Sequence, residues 1–206
     1  MRKSIFLAVL SLACLMGGQI KAQMPTAATD VSPMAVGETI PDAMLVDAQG
    51  KSVSLHSLIK EKPTIIVFYR GVWCSNCIRN FKEEYSPNLS EIENLGYNLI
   101  TICPDAPESL LKTSSDAGMD SKYFLGDGPG TLAKAMGLAF QQQERMKDRL
   151  LESSGGKNTE LYLPIPAVYI VNTSQEIIFA DPRPTAISWE ERTKWESLGA
   201  ALQTLK

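Results

Sequence analysis

Apolar residues change their spacing several times along this chain, and each change marks an element. Thr64 to Tyr69 is an unbroken apolar, β-branched run, the pattern of a central strand covered on both faces. From Ser75 the spacing becomes helical: Ile78, Phe81, Tyr85, Leu89, Ile92 and Leu95 form one buried face that stops at Gly96. Pro87 falls inside this run and predicts a kink or a division. Tyr97 to Cys103 is the next strand, and Pro104-Asp105-Ala106-Pro107 stops it and caps a helix running to about Ala117. Strand, helix, strand, helix in this order predicts a parallel crossover.

The flanking segments are shorter. Met44 to Asp47 and Ser52 to Leu55 surround Ala48-Gln49-Gly50-Lys51, which predicts an N-terminal hairpin, and Ser54 to Ile59 adds a short helix. Tyr123 to Leu125 reads as a strand and Gly130 to Met136 as a helix. Residues 138–163 read as an insertion, with an amphipathic helix over Gln141 to Leu151 and a loop over Ser153 to Asn158. Ala167 to Asn172 and Glu176 to Ala180 predict an antiparallel hairpin. Ser188 and Glu191 form a capping box for a last helix that buries Trp195, Leu198, Leu202 and Leu205. The class is α/β, a central mixed sheet flanked by helices.

The chain has 206 residues, 44% of them hydrophobic and 21% charged, which suits one domain with a full core. Its start stands apart: Arg2 and Lys3, an apolar stretch from Ile5 to Met16, then Gly17, Gly18 and Ala22. Residues 1–22 therefore read as a signal peptide cleaved after Ala22, 23–35 as a flexible lead-in, and 36–206 as the domain. The expected location is periplasmic or secreted. The apolar stretch is shorter than the about 20 residues a membrane span needs, so none is expected in the mature form. Cleavage removes three cations and no acids, moving the formal charge from −3 to −6. Such a product offers no basic patch for nucleic acid.

The chemistry concentrates at Trp73-Cys74-Ser75-Asn76-Cys77, which joins the apolar strand to the helical segment. A thiol becomes a good nucleophile when it ionises, and a helix N-terminus stabilises a thiolate through its unpaired N–H groups and partial positive charge. Cys74 is thus the expected attacking thiol and Cys77, three residues on along the same face, the resolving one. Arg70 favours the thiolate if its guanidinium turns toward Cys74, or else pairs with a surface carboxylate; Trp73 shields the sulfur or simply packs. Cys103 reads as a small buried hydrophobe and His56 as a surface or capping residue. Zinc lacks a second ligand pair, so no metal and no cofactor are expected. Gly126-Asp127-Gly128-Pro129-Gly130 reads as a turn.

The order of elements, with WCxxC after a central strand and Leu163-Pro164-Ile165-Pro166-Ala167 before a late one, resembles the thioredoxin fold. Val36-Gly37-Glu38-Thr39-Ile40-Pro41-Asp42 and Phe68-Tyr69-Arg70-Gly71-Val72-Trp73-Cys74 are similar to the peroxiredoxin-like alkyl hydroperoxide reductase/thiol-specific antioxidant (AhpC/TSA) family. The resemblance covers most of 34–206 and implies that Pro166 is a cis-proline beside the disulfide, its neighbouring backbone available to a bound polypeptide. It also implies an antioxidant-type oxidoreductase whose partners are a disulfide or hydroperoxide substrate and a redox partner protein. Two departures stand out. Phe68 occupies the place of the buried thioredoxin carboxylate, and neither cysteine has the peroxiredoxin Pro-x-x-x-Thr/Ser-x-x-Cys context, the matching positions being Arg70 and Cys74, or Val67 and Gly71. Dithiol–disulfide exchange is the leading expectation; a thiol peroxidase and a binding module with a static disulfide remain open.

Overall fold

The computed structural model describes residues 23–185 together with Gly199, Leu202 and Gln203. The expected signal peptide and nearly all of the expected last helix, including Trp195, Leu198 and Leu205, lie outside the described residues.

Strands β1 (Met44–Asp47), β2 (Ser52–Ser54), β3 (Thr64–Phe68), β4 (Asn98–Cys103), β5 (Phe124–Gly126), β8 (Ala167–Val171) and β9 (Ile177–Pro182) form one seven-stranded mixed sheet. Its order is β2-β1-β5-β4-β3-β8-β9. Strand β3 lies at its heart, parallel to β4 and antiparallel to β8, and is buried along its whole length. Alternate β3 side chains feed two cores: Ile66 and Phe68 enter one, Ile65, Val67 and Tyr69 the other. Burying each such side chain stabilises the fold by about 1.5–3 kcal/mol. Because β3 and β4 run parallel, Cys74 follows the same sheet edge at which β4 delivers Cys103 and Asp105.

Short helices cover the sheet: α1 (Leu55–Ile59), α2 (Ser75–Asn80), α3 (Leu89–Asn94), α4 (Pro107–Ala117) and α5 (Thr131–Ala135). The N-terminal hairpin, α1 and the hairpin β8–β9 form where the alternation and turn signals place them. The run from Ser75 to Leu95 is divided before Pro87, and by more than a kink. A π-helical turn, Phe81–Tyr85, and a 3₁₀ turn, Ser86–Asn88, separate α2 from α3. Ser86 N–H donates to Phe81 O in the wider π pattern, and Asn88 Nδ2 donates to Glu84 O at 2.7 Å. Proline brings no N–H, so the helix re-spaces its bonds around it.

The insertion departs further from expectation. Gln141 ends a strand, β6 (Ala139–Gln141), that pairs antiparallel with β7 (Tyr162–Pro164); a 3₁₀ turn (Glu144–Met146) and α6 (Lys147–Ser153) follow β6. The strand character of β6 depends on a partner that the chain supplies only after α6, which a local pattern cannot reveal. Leu150, Leu161 and Leu163 give this segment its own small core.

The stretch 23–35, expected as a flexible lead-in, is held against the domain. Met34 N–H donates to Met136 O at 3.0 Å, Gln141 N–H donates to Pro25 O at 2.7 Å, and Met24, Val31 and Met34 pack on the first core. At the other end of the chain, Leu202 is fully buried in the core that contains Cys74 and Cys77.

Candidate active site

The site is built where β3 runs out. Tyr69 still bonds to β4 through its N–H and Ile102 O at 3.0 Å, after which Arg70 to Trp73 form a tight loop into α2. Gly71 sits at φ 135°, and a Cβ there would lie 2.9 Å from Asp105 Oδ1 and 3.0 Å from Trp73 Nε1. Only glycine fits both the backbone and the space. Cys74 N–H donates to Gly71 O at 3.0 Å, closing the loop and setting Cys74 as the cap of α2.

Cys74 and Cys77 are joined by a disulfide, with their Cα atoms 5.2 Å apart. Cys74 Sγ accepts two hydrogen bonds, from Cys77 N–H at 3.2 Å and from Arg70 Nη2 at 3.3 Å. Both donors favour negative charge on that sulfur. Of the two possibilities for Arg70, the side chain takes the turn toward Cys74. Burial lowers the Arg70 pKa below the usual guanidinium range, and its Nε has no partner. The cysteines are 3% and 4% exposed.

Trp73 is half-buried and packs against both the cysteine core and the small core of the insertion. The Arg70 guanidinium lies 5.7 Å from its ring centroid and that of Arg149, from α6, lies 5.5 Å away. Arg149 was not among the residues singled out from sequence, because nothing local ties residue 149 to residue 73.

Pro166 lies beside Cys77 in a small cleft of about 30 Å³ that Asn80, Phe81 and Arg183 also line. Among the described residues no peptide bond is cis, so Pro166 is trans, the form that an X–Pro bond favours by about 0.5–1 kcal/mol. The backbone around it is also engaged. Ile165 N–H donates to Leu138 O at 2.9 Å, and Pro166 O accepts from Arg183 N–H at 2.8 Å. The Ile165 N–H and the Pro166 carbonyl are thus engaged within the chain, by Leu138 and by Arg183 just past β9.

The helix starts at Pro107 as the Pro104–Pro107 signal predicts, and Asp105 within that signal is a site residue the sequence did not single out. Helix α4 is capped at Ala106 with no side-chain bond; the Asp105 carboxyl turns the other way, and its Oδ2 accepts from Val72 N–H at 2.6 Å. It is 1% exposed, and burial raises its pKa to about 6 against the opposing pull of the Val72 N–H. The parallel crossover carried a signal: a carboxylate just past β4 shares a sheet edge with a CxxC just past β3. Cys103 is buried and free, its thiol pushed well up by burial and by the Asp105 carboxylate. Phe68 packs edge-on against Tyr169 in the opposite core. His56 Nε2 lies 2.9 Å from Ile40 O, a structural contact. Among the described residues no group of three or more His, Cys, Asp or Glu side chains is placed to hold a metal, and no helix is long and apolar enough to cross a membrane.

With this geometry in view, the likeness to known proteins has a clear meaning. Residues 36–180 match the AhpC/TSA family. The chain belongs to that family. Peroxiredoxin-2C of Oryza sativa subsp. japonica is 26% identical over 121 residues, 56% of this chain and 75% of that protein. A thioredoxin-like protein of Haemophilus influenzae is 34% identical over 67 residues, 32% of this chain and 36% of that protein. Among solved structures, peroxidoxin BcpB from Mycobacterium tuberculosis superposes with a TM-score of 0.63 at 18% identity, covering 84% of this chain and 96% of that one. Reduced Prx3 from Vibrio vulnificus, solved in complex with hydrogen peroxide, gives 0.63 at 15% identity, covering 82% and 99%. These structures share the fold. Family membership and the bonded Cys74–Cys77 pair together make the AhpC/TSA protein a thiol-dependent oxidoreductase.

Proposed function

We propose that this AhpC/TSA protein is an exported thiol–disulfide oxidoreductase working through Cys74 and Cys77. The observation that supports this most is the pair of donors, Arg70 Nη2 and Cys77 N–H, converging on Cys74 Sγ. In the reduced protein they favour a Cys74 thiolate, which attacks one sulfur of a substrate disulfide and releases the other as a thiolate. A mixed disulfide remains on Cys74. Cys77 loses its proton and attacks Cys74 Sγ, releasing the second substrate thiolate and closing the internal disulfide. Two electrons pass from the protein to the substrate, and a redox partner protein restores the dithiol. Insulin reduction by wild type and by Cys74→Ser tests this: the variant loses the activity, and equal rates overturn the assignment. Export is tested by cell fractionation with N-terminal sequencing: a protein beginning after Ala22 is expected in the exported fraction, and a protein with Met1 intact confined to the cytoplasmic fraction speaks against it.

A second reading, thiol peroxidase, draws on the family and on relatives whose names say peroxiredoxin and peroxidoxin. Cys74 thiolate would attack a hydroperoxide, becoming a sulfenic acid as the alkoxide or hydroxide leaves; the Cys77 thiol would then condense with it and release water. The chain lacks the Pro-x-x-x-Thr/Ser-x-x-Cys context at both cysteines, which favours exchange as the main activity. Stopped-flow mixing of reduced protein with hydrogen peroxide separates the two. A rate like that of free cysteine leaves exchange alone, and a rate orders of magnitude faster adds the peroxidase.

A further inference from the structure

The Trp73 ring carries two guanidinium groups, and among the described residues neither has an acidic partner. Arg70 lies 5.7 Å and Arg149 5.5 Å from the ring centroid, and Arg70 also contacts Cys74 Sγ. Among the described residues no ion pair involves either arginine, and neither has interactions beyond those given. Asp148 and Glu152 flank Arg149 on α6 without reaching ion-pair distance. Arg149 is exposed, while its neighbour Leu150 is fully buried in the small core that also packs on Trp73, so the helix is anchored with Arg149 over the ring. On a chain of formal charge −3, two cations at the Trp73 ring, one of them in contact with Cys74 Sγ and neither neutralised among the described residues, form a local field of the opposite sign.

We propose that Arg149, delivered by the insertion, acts with Arg70 as a specificity device that selects disulfides carrying negative charge near the sulfur atoms. This deepens the exchange reading and rests on it. The anionic substituent lies between the guanidinium groups over Trp73, which places the substrate sulfur at Cys74 and holds the departing thiolate. The insertion is thus one wall of the substrate site.

Three probe disulfides test it with reduced full-length protein: dianionic dithiobis(nitrobenzoate), neutral dithiodipyridine and dicationic cystamine. The readout is the ratio of second-order rate constants between probes. Arg149→Glu is expected to lower the anionic-to-neutral ratio by about tenfold and to raise the cationic-to-neutral ratio, while Arg149→Lys keeps the wild-type order. The wild-type preference for the anion shrinks as salt rises from about 0.02 to about 0.5 M. Ratios that do not change in Arg149→Glu overturn the proposal while exchange stands. Failure of the reduced wild type to react with any of the three overturns the exchange reading and the selectivity together.

Discussion

Two cysteine environments lie side by side at one edge of the sheet, and they differ in the sign of what surrounds them. Cys74 and Cys103 are both buried, at 3% and 1% exposure, and both belong to the same core. Cys74 Sγ receives a backbone N–H and a guanidinium; Cys103 Sγ receives the Asp105 N–H at 3.5 Å but also faces that residue's carboxylate. Burial alone raises a thiol pKa in either place. What separates a candidate nucleophile from an inert thiol is the charge delivered to each, cationic at one and anionic at the other.

The largest test removes the sulfur from each in turn. Cys74→Ser is expected to lower the rate of disulfide exchange at least about a thousandfold, whereas Cys103→Ala retains exchange within about twofold; the comparison breaks if Cys103→Ala is the inactive variant. The loop geometry comes next. Gly71→Ala must fit a Cβ between Asp105 and Trp73 at φ 135°, and urea unfolding should show a loss of about 1–3 kcal/mol.

A smaller effect is expected from moving Cys74 toward the Cys103 condition. Arg70→Ala removes the cationic donor, so the thiolate absorbance of reduced protein should titrate about one pH unit higher, with exchange at pH 7 slowed by about fivefold to tenfold. An unchanged titration would show that the α2 N–H alone suffices. The smallest effect concerns Asp105. Its folded pKa of about 6 lies above the ordinary aspartate value of 3.8, so the folded state holds the extra proton and stability falls as pH rises between these values. Asp127, also raised to about 6, acts in the same direction. Asp105→Asn should flatten part of the decline in Tm between pH about 4 and about 7, by a few degrees at most; an identical slope would place the carboxyl's titration elsewhere.

Much of the fold was legible because its signals are local. The β-branched run Thr64 to Phe68 needs both faces covered, and a central strand is the one arrangement that gives it this. The spacing of Cys74 and Cys77 at a helix start likewise contains its own chemistry. The strand β6 was not legible, since Ala139-Phe140-Gln141 is too short to show an alternation and its ladder comes from Tyr162 to Pro164. The role of Asp105 was not legible because Pro104-Asp105-Ala106-Pro107 reads as a helix start, which it is, and nothing local shows where the carboxylate turns. The chain used it to hold Val72 N–H, a partner 33 residues away.

The sequence by itself determined the central strand, the crossover, the redox pair and the family, all of which depend on residues within a turn or two of one another. Only the tertiary structure decided which charges meet which sulfur. Arg70 turning to Cys74, Asp105 reaching Val72 beside Cys103, and Arg149 arriving over Trp73 depend on how the parallel strands and the insertion are packed. Electrostatic influence falls off with distance through space rather than along the chain, so the reactivity of this site is written in contacts that spacing does not show.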